Sequence, residues 1–276
     1  MTKIQLVQPH PALLLQQNSD RGLVVCDLHL GWERLLTKKG VHVPSQTPKI
    51  KNALLKLIKQ TKPTHMIILG DIKDAITNVS MQEWKEIPEF FEEINKQVPN
   101  TEAILGNHDG NLESLLPKTV KIVPPTGAIF GDVGLFHGHA WPAPKLLGCK
   151  SLVTGHVHPT VAIHDPMGLR ITKQVFVKAP CNGEILAKAI LSRLGTKTEA
   201  DTSRAFKSNV SQLFIMPSFN QFLGGRAINE RKRGRKKPDT YIGPILRSGC
   251  TNIDDAEVYL LDGTFLGTVD QLKALS

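Results

Sequence analysis

The chain has 276 residues, of which 41% are hydrophobic and 21% are charged, proportions that are typical of a globular protein and exclude extensive disorder. Its formal net charge of +9 favours polyanionic partners without identifying one. No apolar run approaches 18 residues and the first residues lack the apolar core of a signal peptide, so the sequence predicts neither a membrane span nor export.

Apolar runs alternate with amphipathic stretches in the first half of the chain, which is typical of an α/β fold. Helices are expected at residues 32–39, 48–60 and 80–97, and Pro88 is expected to bend or divide the last one. The helix at 48–60 connects two strand-like runs, so those strands are predicted to pair in parallel. The predicted strands of this half are residues 4–7, 12–15, 23–26, 66–69, 103–105 and 133–136.

The second half is richer in strands and turns. Strands are predicted at residues 151–154, 161–163, 171–177, 212–216, 256–261 and 264–267, with hairpin turns at 165–168 and 262–263. Residues 186–194 predict a helix, and the polar stretch 195–209 a surface insertion. Because strands continue on both sides of a basic run, we expect one domain over residues 1–276 with a basic loop insertion around 226–240.

Five apolar runs end in residue types that bind metals. The residues at these ends are Asp27, His29, Asp71, Asn107, His108, Asp109, His137, His139, His156 and His158. Because ligands bind at the carboxyl ends of strands in α/β sheets, these side chains are expected to converge. A carboxylate such as Asp71 has two oxygens and can bridge two cations, and converging histidines are seldom structural when Asp and Asn accompany them.

In chain order the motifs DxH, GDxxD, GNHD, HGH and GHxH resemble the signature of the calcineurin-like metallophosphoesterases. The chain also resembles the ICC-like phosphoesterase branch of this family in residues 27–33, 83–84, 138–142, 216–220 and 259–263. This branch is related to the SbcD nuclease subunit and the ligase-associated DNA endonuclease. The resemblance implies an α/β (α+β) fold, a four-layer αββα sandwich in a single domain. One departure is Asp74, where many close relatives are expected to have histidine.

The resemblance also implies a reaction that uses two divalent metal ions, Mn²⁺ or else Fe or Zn²⁺, and a metal-bridging hydroxide. The implied ligands are Asp27, His29, Asp71 and His158 for one ion and Asp71, Asn107, His137 and His156 for the other. His108 is expected to face the substrate and protonate the leaving oxygen, with Asp109 orienting its imidazole. His139 and Asp74 are expected beside the ligands.

Substrate identity stays open at this point. The net charge and the basic run favour a DNA-directed phosphodiesterase or endonuclease, whose nucleic-acid contacts would be Arg231, Lys232, Arg233, Arg235, Lys236 and Lys237. The alternative is a phosphomonoesterase or phosphodiesterase acting on small molecules such as nucleotides, since such charge runs are commonly solvated loops. A non-catalytic scaffold, like the retromer subunit that resembles these enzymes, is disfavoured because GNHD is intact.

Thiol chemistry is a weaker enzymatic interpretation. The four cysteines are scattered without a CxxC pair, which predicts reduced thiols in a cytoplasmic protein, and Cys26 lies in an apolar run typical of a buried structural thiol. No P-loop or dinucleotide motif occurs. The expected partners are a phosphoester substrate, most plausibly nucleic acid, and DNA-repair proteins, with no membrane; the oligomeric state stays open.

Overall fold

A computed structural model of the chain describes residues 1–77, 79–194, 207–230 and 242–274. Two β-sheets pack face to face and helices cover the outer face of each, so the predicted four-layer αββα sandwich is confirmed. Most of the predicted surface insertion at 195–209 and the whole basic run at 231–237 lie outside the described residues. The single-domain interpretation stays a prediction.

The first sheet contains six strands that lie side by side in chain order. They are β1 (Lys3–Leu6), β2 (Leu13–Gln17), β3 (Asp20–Cys26), β4 (His65–Leu69), β5 (Asn100–Ile104) and β6 (Val120–Val123). Strands β1 to β3 are antiparallel, and β3 to β6 are parallel, as the strand–helix–strand order predicts for β3 and β4. The parallel strands therefore end at one edge of the sheet.

Three helices belong to this half of the chain: α1 (Arg34–Thr37), α2 (Thr47–Thr61) and α3 (Met81–Gln97). The first is shorter than predicted and is followed by Gly40, whose φ of +83° ends the helical path. Pro88 was predicted to bend or divide the third helix; it does not divide it, because α3 continues through Pro88. A capping box formed by Ser80 and Glu83 fixes the start of α3, and its buried apolar face offsets the roughly 3 kcal/mol that an interior proline costs.

The second sheet contains nine strands, of which seven follow the order β13-β10-β11-β12-β9-β8-β7, while β14 pairs with β11 and β15 pairs with β14. Their bounds are β7 (Ala128–Phe130), β8 (Val133–Leu135), β9 (Ser151–Thr154), β10 (Pro159–His164), β11 (Arg170–Pro180), β12 (Gln212–Ile215), β13 (Arg226–Ala227), β14 (Glu257–Leu260) and β15 (Phe265–Thr268). Both predicted hairpins, β10–β11 and β14–β15, are confirmed.

Three helices among the described residues accompany the second sheet: α4 (Gly183–Arg193), α5 (Pro244–Arg247) and α6 (Val269–Ala274). The first matches the predicted helix. The other two were not predicted, because helices of four and six residues are too short to show a periodic pattern. Short 3₁₀ turns occupy Leu112–Ser114, Pro144–Gly148 and Ile253–Asp255.

Successive side chains of a strand point to opposite faces of its sheet, and this alternation explains the layers. In β3, Leu23 and Val25 pack against the helices, while Val24 and Cys26 pack between the sheets. Strand β11 does the same for the second sheet, since Phe176 points between the sheets and its neighbours pack on the outer side. Within the described part of the chain, no helix combines the length and apolar character needed to cross a bilayer.

Candidate metal centre

The backbone at the strand ends adopts an unusual conformation. Five of the eight non-glycine residues with positive φ among the described residues are predicted metal ligands: Asp27 (54°), His29 (42°), Asp71 (49°), His156 (68°) and His158 (48°). Residues other than glycine rarely adopt this conformation, and each instance costs on the order of 1–3 kcal/mol. Such strain persists only where surrounding contacts impose it, and it concentrates at functional sites.

Backbone hydrogen bonds and close contacts hold these turns together. The N–H of Asp27 donates to the carbonyl of Gly70 (3.0 Å), and the N–H of His29 donates to the carbonyl of Asp71 (2.8 Å). Gly70 has φ +71°, and a Cβ there would lie 2.6 Å from the His137 ring. The loops after β3 and β4 therefore form one paired unit that the His137 imidazole can approach closely.

One group of potential ligand atoms comes from Asp27, His29 and His158, all within 4.8 Å of one another. The Nε2 atom of His158 lies 3.3 Å from Oδ1 of Asp27, and the rings of His29 and His158 are 5.3 Å apart between centroids. The His29 side chain is buried, yet neither of its ring nitrogens makes a hydrogen bond. A buried imidazole that lies beside carboxylates but makes no hydrogen bond fits a residue that binds a metal ion.

A second group comes from Asp71, His137 and His156, again within 4.8 Å. The Oδ2 atom of Asp71 lies 3.5 Å from Nε2 of His137 and 3.6 Å from Nε2 of His29. One carboxylate oxygen thus faces an imidazole nitrogen from each group. The two groups are adjacent, and Asp71 stands between them.

Burial and charge together set the protonation of these groups. Burial alone would raise the pKa of Asp27, but the neighbouring His158 and His137 hold it well below its usual value. Burial would lower the pKa of His137 and His158, but Asp27 raises both. Burial, reinforced by His137, lowers the pKa of His139 and His156 to about 4, so these imidazoles are neutral at pH 7.

The donor set fits divalent transition metals. Imidazole nitrogens mixed with carboxylate oxygens suit Mn²⁺, Fe or Zn²⁺, whereas Ca²⁺ prefers an all-oxygen shell. The ring nitrogens of His29, which make no hydrogen bond, and the neutral ring of His156 are both consistent with ligation. The residues present therefore fit the metal-binding role that the sequence implies.

Two further predicted residues lie next to these imidazoles. The Nδ1 atoms of His139 and His137 are 2.8 Å apart, and Oδ1 of Asp74 is 3.2 Å from Nδ1 of His29 without the alignment of a hydrogen bond. Carboxylates and other polar groups in such positions orient metal-binding imidazoles. His29, Asp74 and His108 also form a third group of potential ligand atoms within 4.8 Å.

The contacts of His108 differ from the expected ones. The sequence predicts that Asp109 orients its imidazole, but the carboxylate of Asp109 accepts backbone N–H groups of Gly106 (2.7 Å), Ile72 (2.8 Å) and Lys73 (3.3 Å) instead. The group that contacts the His108 ring is the carbonyl oxygen of Asp74, 2.5 Å from Nδ1. Asp109 therefore ties the turn after β5 to the loop after β4, and burial raises its pKa.

Asn107 is the predicted ligand with the least support from geometry. It follows β5 in the same turn as His108, but its side chain is exposed. Its role as an oxygen ligand stays a prediction, as does the contact of residues 231–237 with nucleic acid, since that run lies outside the described residues.

Sequence reasoning assigned no role to several residues that support the site. Ser218 Oγ donates to the Asp27 carbonyl (2.7 Å), and Asn220 Nδ2 donates to the Leu28 carbonyl (3.0 Å), so the loop after β3 rests on this segment. Their one sequence signal is the stretch 216–220 that resembles the ICC-like branch. Lys73 is fully buried, its ammonium donates to the carbonyls of Ala75 and Ile76, and no sequence pattern identifies it.

Comparisons with known proteins concern the family and the fold. The model of the calcineurin-like phosphoesterase family matches residues 21–166. The chain is similar in structure to nuclease MPE of Pseudomonas putida, with 17% identity and a TM-score of 0.53 over 95% of this chain and 98% of that chain. It is also similar to Yfce, a phosphoesterase from E. coli, with 21% identity and a TM-score of 0.33 over 54% of this chain and 75% of that one.

A third similar structure is a protein of unknown function from Aquifex aeolicus, with 20% identity and a TM-score of 0.35 over 50% of this chain and 78% of that chain. No curated protein matches the sequence. The likeness to the P. putida protein supports the fold, in agreement with the two-sheet architecture.

Proposed function

Because the chain belongs to the calcineurin-like phosphoesterase family, we propose that it is a dimetal phosphodiesterase acting on nucleic acid, with DNA as the favoured substrate. Family membership makes it a metal-dependent phosphoester hydrolase. The use of two ions, their identity as Mn²⁺, and the nucleic-acid substrate are the proposed part.

The observation that carries the dimetal proposal is the position of the Asp71 carboxylate. Its Oδ2 atom faces Nε2 of His29 at 3.6 Å and Nε2 of His137 at 3.5 Å, and these histidines belong to separate ligand groups. A shared carboxylate is the usual bridge between two ions about 3.5–4 Å apart. The proposed ligands are Asp27, His29, Asp71 and His158 for one ion and Asp71, Asn107, His137 and His156 for the other.

The protein's own groups supply the remaining chemistry. Divalent ions in these ligand sets would supply Lewis acidity toward water and phosphoryl oxygens. The Asp74 carbonyl can only accept a hydrogen bond, so Nδ1 of His108 carries a proton and Nε2 is the nitrogen left for a substrate. We assign proton delivery to the leaving oxygen to this Nε2 in the ring that carries a proton on both nitrogens; the transfer leaves the neutral ring with its proton on Nδ1.

The nucleic-acid part of the proposal rests on charge. The net charge of +9 includes six cations within residues 231–237, a density suited to a phosphate backbone. The P. putida protein, which is similar to this chain in structure, is described as a nuclease. The structural similarity by itself concerns only the fold. A small-molecule phosphoesterase would need the same metal centre without the basic run.

One experiment separates these substrates. Purified protein with Mn²⁺ is incubated with plasmid DNA, single-stranded oligonucleotides, bis-p-nitrophenyl phosphate and nucleoside monophosphates, each with a chelated control. We expect metal-dependent cleavage of DNA and of bis-p-nitrophenyl phosphate, with little phosphate released from monophosphates. Hydrolysis confined to nucleoside monophosphates would overturn the nucleic-acid proposal and favour the small-molecule alternative.

Replacing the six cations of residues 231–237 by serine is expected to weaken DNA binding and flatten its salt dependence. Each lost phosphate contact reduces the magnitude of the slope of log K against log salt by about 0.9 on duplex DNA or about 0.7 on single strands. Binding is measured by fluorescence anisotropy at several salt concentrations. Activity on bis-p-nitrophenyl phosphate should change little, since this ester has no extended backbone.

The control for this variant replaces Lys56, Lys59 and Lys62, three exposed lysines on and just after α2, by serine. Lys56 and Lys59 lie on α2 and Lys62 precedes β4, whereas Asp71 follows the other end of that strand. Their loss should therefore leave the salt slope unchanged. Equal DNA affinity of the six-serine variant and the parent at every salt concentration would leave the basic run without a binding role.

A further inference from the structure

A groove of about 480 Å³ adjoins the metal centre on the His156 side. His139 and His156 form its inner end, and the remaining wall includes Trp141, Arg193, Ile242 and Arg247. Its volume falls in the range of roughly 300–1,000 Å³ that is typical of sites for small ligands. The groove therefore has room for a part of the substrate beyond the phosphate that reacts.

The outer wall of the groove is the segment that leads into α5. Gly243 has φ +93°, and a Cβ there would lie 2.6 Å from the Gly138 carbonyl oxygen and 3.9 Å from Cδ2 of His156. Ile245, two residues later, is buried in the outer core of the second sheet. The wall is thus anchored in the core and lies directly against the loop that carries the histidines.

The described residues that line the groove carry charge of one sign. Arg193, at the end of α4, and Arg247, at the end of α5, both line it, and no Asp or Glu is among these described residues. A ligand with at least one negative charge besides the reacting phosphate would meet the guanidinium group of Arg193 there. Guanidinium groups bind phosphate oxygens with paired hydrogen bonds.

The groove also offers an aromatic surface. Trp141 is half-buried, packs against the outer core of the second sheet and lines the groove. An indole held by a core on one side is a rigid plane on which a base can stack. Ile242 adds an apolar side chain that is 38% exposed.

We propose that this groove binds the nucleotide adjacent to the scissile phosphate in an unpaired nucleic-acid strand. Trp141 stacks on the base, and Arg193 contacts the neighbouring backbone phosphate. An unpaired strand is required because a base in a duplex is already stacked on its neighbours and has no free face for Trp141. This inference rests on the proposed phosphodiesterase activity and names the part of the substrate that the site selects.

The test compares kcat/KM on a single-stranded oligonucleotide with kcat/KM on bis-p-nitrophenyl phosphate for four variants. Trp141→Leu keeps an apolar side chain but removes the aromatic plane, whereas Trp141→Phe retains a plane. Arg193→Ala removes one cation, and Lys188→Ala removes an exposed cation from the same helix at a position that does not line the groove.

On the oligonucleotide, Trp141→Leu is expected to lower kcat/KM by about 5- to 150-fold, which is the loss of one base–aromatic stack. Trp141→Phe should recover most of this loss. If Trp141 had only a structural role in the core, its substitution would not change kcat/KM on the oligonucleotide alone. Arg193→Ala should raise KM on the oligonucleotide with little change in kcat, and Lys188→Ala should do neither. All four variants should match the parent on bis-p-nitrophenyl phosphate, which verifies folding and an intact metal centre.

Two failures are distinguishable. If the parent cleaves the oligonucleotide and neither Trp141→Leu nor Arg193→Ala lowers kcat/KM on it, the groove does not bind the strand, and the proposed function stands without it. If the parent hydrolyses bis-p-nitrophenyl phosphate but no oligonucleotide, the nucleic-acid substrate and the groove assignment are both overturned. Equal losses on both substrates would mean that the substitutions disturb the metal centre, which also overturns the assignment.

Discussion

Replacing Asp71 by asparagine is expected to lower bound metal and turnover together. Asparagine keeps an oxygen that can accept the His108 backbone N–H, which lies 2.9 Å from Oδ1 of Asp71. It loses the negative charge, and its amide nitrogen would occupy the position of Oδ2, which faces His29 and His137. An amide NH₂ cannot bind a cation, so both proposed sites lose a shared ligand.

The expected loss in kcat/KM is more than about 100-fold, because removing a residue that merely supports a metal ligand already costs roughly 10- to 100-fold. Metal content is measured by mass spectrometry after dialysis, and the shift of Tm on adding Mn²⁺ is measured on the same samples. The control is Asp20→Asn, the same chemical change at an exposed residue at the opposite end of β3. A variant that still holds two ions per chain would show that Asp71 is not the bridging ligand.

The strands and the candidate ligands could be predicted from the sequence because both depend on short-range patterns, whereas the four layers were implied by the resemblance to a known family. The apolar runs of β3 and β4 alternate between two cores, and each run stops at a residue type that binds metals, Asp27 or Asp71. Parallel pairing then brings these ends to one edge of the sheet. Here local pattern and overall topology point to the same arrangement.

The remaining details depend on contacts between distant parts of the chain. Ser218 supports the Asp27 loop across 191 positions, and no periodic pattern indicates that pairing. Asp109 was expected to act on its neighbour His108, but its carboxylate faces three backbone N–H groups that the folded loops bring together. Pro88 was expected to bend or divide a helix, but α3 continues through it because the packing of α3 on the sheet outweighs the local preference of proline.

Replacing His108 by alanine is expected to lower turnover by about 10²- to 10⁴-fold, the range for loss of a general acid, while two ions per chain remain bound. The physical reason is the position of the ring, whose Nδ1 faces the Asp74 carbonyl at 2.5 Å and leaves Nε2 for the substrate. The control is His164→Ala, which removes an exposed imidazole at the other end of β10 from His158. Turnover and metal content are measured for both variants.

The leaving group separates proton donation from other roles of His108. Cleavage of DNA expels a sugar alkoxide, which needs a proton, whereas bis-p-nitrophenyl phosphate expels p-nitrophenolate, which is stable without one. His108→Ala should therefore lose more activity on DNA than on bis-p-nitrophenyl phosphate. Equal losses on the two esters would assign His108 to stabilising charge on the phosphoryl group. If His108→Ala instead lost one ion, His108 would be a metal ligand. Its site would then include His29 and Asp74, because the ligand atoms of these three residues lie within 4.8 Å of one another.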